Sequence, residues 1–375
     1  MAVLRLGVIG CGGMANVHSR GKDSEDIKDI IKVTAVCDIV EERAKKAAIS
    51  WEAEHVFTNY KDMLDYVDAV LIVLPHDLHY ECGMFFINNK KHVLMEKPMC
   101  NSESECLSLM AAAEREGVVL MTAYPVRYWP EIIKMKEIAD SGIYGKIVQM
   151  SIWTEQYTDP MQKYGEMTWG NTARLGGGQL FSHGCHYIDL LLWFLGKPIR
   201  GVHIGTKVGT PWLLEEGTSN VTIEFEGGAL GYHFGTWGAR GTKMGYDFQI
   251  HFEKALVSYN RHSGEFNVRQ GMEKLITLDH GRQTREQTVT PLQLDADPAD
   301  KRTHLEIRHF ADCILNNTKP ITNAPIGQSA ENRQHEYRQN IIQRHNHTGP
   351  SLGHAEFIGK DNRNCGIISL PKRTD

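Results

Sequence analysis

The sequence lacks long apolar runs and dense clusters of basic residues. No segment reaches the roughly 18 consecutive apolar residues of a transmembrane helix, so we expect no membrane span. The formal net charge is -5, and Lys and Arg form no basic stripe. This pattern argues against binding nucleic acid through phosphate neutralisation. A small-molecule ligand is therefore the expected partner.

Closely spaced cysteines and an export signal are also missing. The eight cysteines are scattered with no Cys-x-x-Cys pair, which fits reduced thiols better than a disulfide framework or a zinc ribbon. A predicted strand begins at Val3, with no charged and apolar leader before it. We therefore expect a cytoplasmic protein.

The first third of the chain has the pattern of alternating strands and helices. The 375 residues, 41% of them hydrophobic, are enough for two domains. In residues 1–123, short β-branched runs alternate with helical stretches, which predicts a doubly wound parallel sheet. The predicted strands are 4–9, 32–37, 69–74, 92–95 and 118–122, and the predicted helices are 13–19, 40–49, 80–88 and 102–116.

The remaining chain has a different pattern. After a predicted helix at 130–141, glycine-rich turns separate predicted strands, so residues 124–326 should form an α+β domain with a mostly antiparallel sheet. These strands are 147–153, 202–207, 221–226, 230–236, 248–252 and 256–259. Residues 327–375 are rich in Asn, Gln, His and Arg without a sustained period, and we predict a mobile tail there.

A glycine-rich turn follows the first predicted strand. Gly10, Gly12 and Ala15 form a Gly-x-Gly-x-x-Ala pattern, with Gly13 and Met14 inside it. Glycines let the backbone turn tightly and approach a pyrophosphate, while the next helix supplies free N–H groups. The pattern alone is weak, because glycines after a strand often serve only the turn. Its position between strand and helix favours dinucleotide binding.

Asp38 ends the second predicted strand. A carboxylate there can accept hydrogen bonds from the ribose 2′-hydroxyl and would repel a 2′-phosphate, so we expect NAD rather than NADP. The spacing from Gly10 exceeds the usual value of about 20 residues, which the polar insertion 21–28 accounts for. Two alternatives are that Arg43 screens a phosphate and that Asp38 simply faces solvent.

Lys97 lies between Glu96 and Pro98 at the end of the predicted strand 92–95. Ligands of open α/β sheets bind at the carboxyl ends of the strands. An ammonium group there can stabilise negative charge on a substrate oxygen as hydride leaves, and the fixed φ of Pro98 helps to aim it. The alternative is a surface lysine beside a glutamate.

A glycine run leads into an apolar helix that contains polar residues at regular spacing. At about 100° per residue, Ser182, His186 and Asp189 share one face. His186 could act as a general base, since an imidazole exchanges protons near neutral pH. A metal site of His183, Cys185 and His186 is disfavoured, because no second ligand cluster completes a tetrahedron. Local capping or pairing of His186 with Asp189 is the other alternative.

Together these motifs resemble the glucose-fructose oxidoreductase, inositol dehydrogenase and rhizopine-catabolism (Gfo/Idh/MocA) family, from Val3 to about Ile326. The resemblance implies an N-terminal Rossmann domain, a second domain with a large open sheet, and oxidation or reduction of sugars and polyols with NAD or NADP. It also implies that Lys97 is the catalytic lysine and His186 the acid/base residue. The motifs are the turn 10–15, Pro75 with His79, the segment 91–98, and the glycine-run helix.

One position departs from the family pattern. Many polyol-oxidising members have an aspartate four residues before the catalytic histidine, where this chain has Ser182. A hydroxyl cannot stabilise an imidazolium as a carboxylate does. Asp189 or another acid is then the candidate for that role.

The resemblance also suggests further contacts. The loop after the third strand contacts the nicotinamide half of the cofactor in the family, although His79 could instead cap the next helix. Arg127 could line the sugar site or seal the domain interface, and the polar segment before the glycine run is a natural place for substrate contacts. The cofactor candidates are Pro75, His76, His79, Glu96 and Lys97, and the substrate candidates are Lys97, Arg127, Tyr157, Trp169, Arg174, Ser182 and His186.

We therefore predict an NAD-dependent dehydrogenase for a sugar or cyclic polyol, in which His186 takes the hydroxyl proton and Lys97 stabilises the developing charge. The alternatives are an NAD-dependent glycosidase that uses transient oxidation and a sugar sensor without catalysis. An exposed sheet face in the second domain makes a homo-oligomer, dimer or tetramer, the expected assembly.

Overall fold

A computed structural model describes residues 3–25, 27–158, 177–278, 280–294 and 301–322, and the backbone of Ile367–Ser369. The chain divides into two compact units. Among the described residues, no helix combines the length and apolarity needed to cross a bilayer.

The described residues of the first unit are 3–25, 27–129 and 301–322. Its described strands form a six-stranded sheet in the order β3-β2-β1-β4-β5-β6, paired in parallel throughout. The strands are β1 Leu4–Ile9, β2 Ile31–Cys37, β3 His55–Phe57, β4 Ala69–Ile72, β5 His92–Glu96 and β6 Leu120–Ala123. The helices are α1 Gly13–Ser19, α2 Glu41–Trp51, α3 His79–Asn88 and α4 Glu103–Glu116.

Both faces of this sheet are covered. One core cluster contains Ile72, Phe86 and Leu109, and the other contains Leu6, Leu71 and Phe310. Burial on both faces explains why β4 reads as a continuous apolar run rather than as an alternating pattern. The predicted doubly wound parallel sheet is confirmed.

The described residues of the second unit are 130–158, 177–278, 280–294 and 367–369. Its described strands form a nine-stranded sheet in the order β14-β13-β12-β11-β7-β10-β9-β8-β15, in which only β7 and β10 pair in parallel. The strands are β7 Ile147–Glu155, β8 Pro198–Thr206, β9 Thr218–Phe225, β10 Leu230–Thr236, β11 Tyr246–Phe252, β12 Leu256–Asn260, β13 Phe266–Thr277, β14 Gln283–Pro291 and β15 Ile367–Ser369. The helices are α5 Pro130–Ser141 and α6 Cys185–Leu195.

The predicted α+β domain with a mostly antiparallel sheet is confirmed. The structure also contains several elements that the sequence patterns did not predict. The sequence patterns did not indicate β3, β13, β14 or the helix α7 (Thr303–Leu315). The structure places α7 in the first unit, whereas the sequence-based boundary assigns it to the second domain. Of the tail 327–375, only the short strand β15 lies within the described residues, so its predicted mobility stays a prediction.

Candidate functional site

Gly10 makes the sharp turn at the end of β1. Its φ of +89° lies in the left-handed region, and a Cβ built there would lie 2.3 Å from the carbonyl oxygen of Val73. Any other residue would therefore be both strained and in collision. The Gly10 N–H donates to the Cys37 oxygen at 2.8 Å, which ties the turn to the end of β2.

Gly12 and Gly13 leave the backbone open at the start of α1. Both are exposed, and a Cβ built at either position would meet no atom within 4 Å. Met14 is half-buried, and Ala15 is fully buried in the core. The turn thus offers bare backbone to a ligand, which is what a dinucleotide pyrophosphate requires.

Asp38 is held by the backbone of this turn. Its Oδ2 accepts the Cys11 N–H at 2.9 Å and its Oδ1 accepts the Val40 N–H at 2.9 Å. A carboxylate has about four lone-pair sites, so both oxygens keep capacity for a further donor such as a ribose hydroxyl. Burial and the nearby Asp38 charge raise the pKa of the Cys11 thiol to about 12, so this cysteine is no nucleophile.

The loop after β4 is anchored by a buried histidine. The His79 ring nitrogens lie 2.8 Å from the Leu74 oxygen and 2.9 Å from the Pro98 oxygen. Burial lowers the pKa of His79 despite these two acceptors, so a neutral ring donates to one of them at a time. His79 thereby holds together the ends of β4 and β5, while Pro75 is exposed and His76 is buried.

Glu96 and Lys97 lie at the end of β5. Glu96 Oε1 is 2.8 Å from His18 Nε2, and Glu96 Oε2 accepts the Lys97 backbone N–H at 3.1 Å. Burial raises the pKa of Glu96, but the hydrogen bond to His18 and the charges of His18 and Lys97 outweigh this effect and leave the pKa lowered. The Lys97 side chain is half-buried. Glu96 therefore remains a carboxylate that faces away from solvent.

In the second unit, the glycine run leads into a π-helical turn, Leu180–Gly184, which continues as α6. A π-turn has i→i+5 hydrogen bonds, so the spacing of 100° per residue does not hold between Ser182 and His186. Ser182 and Asp189 are buried, with 5% and 1% of their surface exposed, whereas His186 is half-buried. Two of the three residues predicted to share a polar face are thus buried, and the shared face itself stays a prediction. Turns of this type are frequent at functional sites.

A buried polar network surrounds His183. Its Nε2 lies 3.3 Å from the Tyr246 hydroxyl, and its Nδ1 lies 3.3 Å from Gln179 Nε2. Glu216 Oε1 accepts the Leu180 N–H at 3.0 Å, at the start of the π-turn. Burial raises the pKa of Glu216 to about 7. Sequence reasoning missed Glu216, because no local motif marks it.

The other predicted substrate residues are dispersed. Arg127 is buried in the first unit, where its Nη1 donates to the Ile321 oxygen at 2.7 Å. Tyr157 is exposed in the second unit, and the Arg240 guanidinium lies 4.4 Å from its ring centre. Trp169 and Arg174 lie outside the residues that the structure describes.

Sequence reasoning also missed two residues behind Glu96. His18 of α1 and Glu306 of α7 are both fully buried. A histidine three residues after Ala15, on the inward side of α1, was the available signal. Glu306 could not be connected to it, because almost three hundred residues separate the two in the chain.

Comparison with known proteins follows the two-unit division. The model of the oxidoreductase family with an NAD-binding Rossmann fold matches residues 4–124, and the model of the GFO/IDH/MocA C-terminal domain matches residues 132–258. The uncharacterized oxidoreductase YrbE of Bacillus subtilis (strain 168) is 28% identical over 232 residues, 60% of this chain and 64% of YrbE.

Two further proteins extend the comparison. The scyllo-inositol 2-dehydrogenase (NADP(+)) IolU of the same strain is 27% identical over 234 residues, 60% of this chain and 67% of IolU. The WlbA dehydrogenase from Bordetella pertussis, solved with NADH and UDP-GlcNAcA, has a TM-score of 0.73 and 20% identity over 99% of this chain and 100% of that chain. The match thus spans about two thirds of these curated relatives' length, and the structural likeness shows the fold.

Proposed function

Because the chain belongs to the GFO/IDH/MocA family of oxidoreductases, we propose that it is an NAD-dependent dehydrogenase that acts on a secondary hydroxyl of a sugar or cyclic polyol. One observation carries this proposal. The backbone turn at Gly10–Ala15 is open to a ligand, and the Asp38 carboxylate is fixed beside it by the Cys11 N–H. This arrangement suits a dinucleotide with an unmodified ribose.

The cofactor preference follows from charge. Asp38 would repel the 2′-phosphate of NADP, and its two backbone hydrogen bonds hold the carboxylate in place. Arg43, the nearest candidate to screen a phosphate by sequence, is exposed on α2. The relative IolU has NADP(+) in its name. The NAD preference proposed here therefore rests on this chain's own Asp38 and is tested by measurement on this chain.

When bound, NAD would supply the hydride acceptor at its nicotinamide ring. The residues of the chain would do the rest. Lys97 would stabilise the negative charge that develops on the substrate oxygen, and His186 would accept the hydroxyl proton. Asp189, one turn after His186 on α6, is the carboxylate offered to replace the aspartate that many relatives have at the position of Ser182.

We also propose that the protein is cytoplasmic and that it forms a homo-oligomer. The seven cysteines among the described residues are buried and form no disulfide with one another, as expected of a cytosolic enzyme. Large apolar side chains are exposed on the second unit's sheet, among them Ile204, Met272 and Val289. We expect this surface to be covered in a homo-oligomer, which sedimentation velocity would reveal.

Substitution of the lysine tests the chemistry. Lys97→Ala should lower kcat by about 10²–10⁴-fold, because the developing charge loses its stabilising cation, while the Kd for NADH stays within about twofold. Turnover of a panel of inositols and sugars, followed by NADH absorbance, measures kcat, and fluorescence titration measures Kd. Lys91→Ala is the matched control, since Lys91 is also half-buried but donates to the Val67 oxygen.

The outcomes separate the alternatives. Unchanged turnover in Lys97→Ala would remove the proposed role of this lysine. Release of free sugar from a glycoside without accumulation of NADH would indicate the glycosidase. Tight sugar binding without turnover across the panel would indicate a sensor.

A further inference from the structure

Three ionisable side chains from three separate elements meet in the interior of the first unit. His18 of α1 and Glu306 of α7 are fully buried, and Glu96 of β5 has only 6% of its surface exposed. The His18 Nε2 lies 2.8 Å from Glu96 Oε1, and its Nδ1 lies 4.0 Å from Glu306 Oε1. One imidazole is thus placed between two carboxyl groups.

The proton balance of this cluster is constrained. Two buried carboxylates beside one imidazole would leave an uncompensated negative charge, which is costly in a medium of low dielectric constant. Neither oxygen of Glu306 has a hydrogen-bond partner within the described part of the chain. Burial and the charge of Glu96 raise the pKa of Glu306 well above its usual range, which agrees with a neutral acid. The pKa of Glu96 is lowered, so the negative charge lies on Glu96.

When Glu306 is neutral, the imidazole proton of His18 is available for the hydrogen bond to Glu96. An ionised Glu306 would compete with Glu96 for His18, whereas a protonated one does not. Arg127, in the 3-10 turn Pro125–Tyr128 that packs on this helix, donates through its Nη1 to the Ile321 oxygen, and Arg308 of α7 pairs with Asp312 on the same helix. His18 is therefore free to hold Glu96 in one orientation.

From these contacts we infer that His18 is a positioning residue for Lys97. It fixes the Glu96 carboxylate, whose second oxygen accepts the Lys97 backbone N–H, and a protonated Glu306 behind it keeps the His18–Glu96 hydrogen bond intact. The functional meaning of this inference rests on the proposed role of Lys97, but the contact itself can be tested in the free protein.

Chemical labelling measures the environment of Lys97 directly. Acetic anhydride acetylates uncharged lysine amines, and mass spectrometry of peptides gives the rate at each lysine. In His18→Leu, Glu96 loses its anchor and Lys97 loses a fixed negative neighbour, so the labelling rate of Lys97 should rise by roughly threefold or more. Lys91 and Lys136 in the same sample serve as internal controls and should not change.

Conservative variants separate this role from general destabilisation. His18→Gln keeps a donor for Glu96 and should restore the labelling rate of the unmodified protein. Phe86→Leu, which loosens a different core cluster, should leave Lys97 unaffected. If His18→Leu does not fold, Glu96→Gln removes the same negative charge with little change of shape and should raise the rate in its place. Equal labelling of Lys97 in the folded variants and the unmodified protein would overturn the inference.

Infrared spectroscopy tests the proton on Glu306. At about pH 6, an ordinary glutamate with a pKa near 4.3 is ionised, so a protonated carboxyl stretch that is lost in Glu306→Gln identifies the neutral acid. Absence of that band would overturn the role given to Glu306. If Lys97→Ala retained full turnover while the labelling results held, the proposed catalytic role of Lys97 would fail but the positioning contact would stand.

Discussion

At the scale of single residues, the buried carboxyl groups of Asp38 and Glu216 differ in their hydrogen bonds. Asp38 keeps two backbone N–H donors at 2.9 Å, at the turn proposed to bind the cofactor. Glu216 accepts the Leu180 N–H at 3.0 Å, and burial raises its pKa to about 7.

Asp38→Gly should change the cofactor preference. Without the carboxylate, a 2′-phosphate is no longer repelled and the ribose hydroxyls lose an acceptor, so the ratio of kcat/KM for NAD over NADP should fall by about tenfold or more. Steady-state kinetics with both cofactors measures the ratio. Asp62→Gly, on the exposed 3-10 turn Tyr60–Tyr66, is a control for loss of negative charge in the same unit. A ratio that stays the same in Asp38→Gly would show that Asp38 does not select the cofactor.

The raised pKa of Glu216 predicts how this residue makes the stability of the protein depend on pH. In the folded state its pKa is about 7, whereas the unfolded chain titrates near 4.3, so between these values the folded state binds the extra proton. The contribution of Glu216 to the free energy of unfolding should therefore decrease as pH rises from about 4.5 to about 7.5. Glu216→Gln keeps the acceptor for the Leu180 N–H but cannot ionise, so it should remove this decrease and be the more stable form at about pH 8. Urea unfolding at several pH values would show it, and identical pH slopes for the two proteins would contradict it.

At the scale of secondary structure, the prediction of most elements depended on whether their sequence carries a local signal such as a cap or an apolar period. The predicted helices 13–19 and 130–141 have the observed bounds, because Gly12 and Pro130 mark their starts. Strand β14 was missed because its residues are all exposed and show no apolar alternation. Helix α7 was missed although Ile307, Phe310 and Ala311 give it a buried face, so that signal was present and overlooked. The π-turn before α6, Leu180–Gly184, was not predicted because its sequence carries no recognised local signal.

The start of α4 offers a test of one such local signal. Ser102 Oγ accepts the Glu105 N–H at 3.3 Å, and Glu105 accepts the Ser102 N–H at 3.2 Å, which together form a capping box. Ser102→Ala leaves the Glu105 N–H without this acceptor and should cost about 1 kcal/mol of unfolding free energy. Urea denaturation measures the loss. Ser108→Ala, at an exposed position inside the same helix, should change stability by less than about 0.5 kcal/mol, and an equal effect at both sites would argue against the cap.

At the scale of the whole molecule, the two units differ in which late segment of the chain completes them. The first unit is completed by α7, which returns nearly two hundred residues after β6 and places Phe310 in its core. The second unit is built on one large sheet whose outermost described strand, β15, pairs with β8 through Ile367, Ile368 and Ser369. Sequence patterns predict each sheet separately, but they carry no signal for these returns because the contacts span long distances in the chain.

The tail provides the last test. Removing residues 328–375 eliminates β15 and its three pairings with β8, but it leaves α7 and all other described strands in place. A three-residue edge strand contributes little to a sheet of this size, so the melting temperature should fall by less than about 3 °C. Differential scanning calorimetry of the full and shortened chains measures the change, and Phe310→Ala, which opens a cavity in the first unit, provides a scale for a large loss. A fall as large as that of Phe310→Ala would mean that the tail packs on the protein and that the predicted boundary at residue 327 is misplaced.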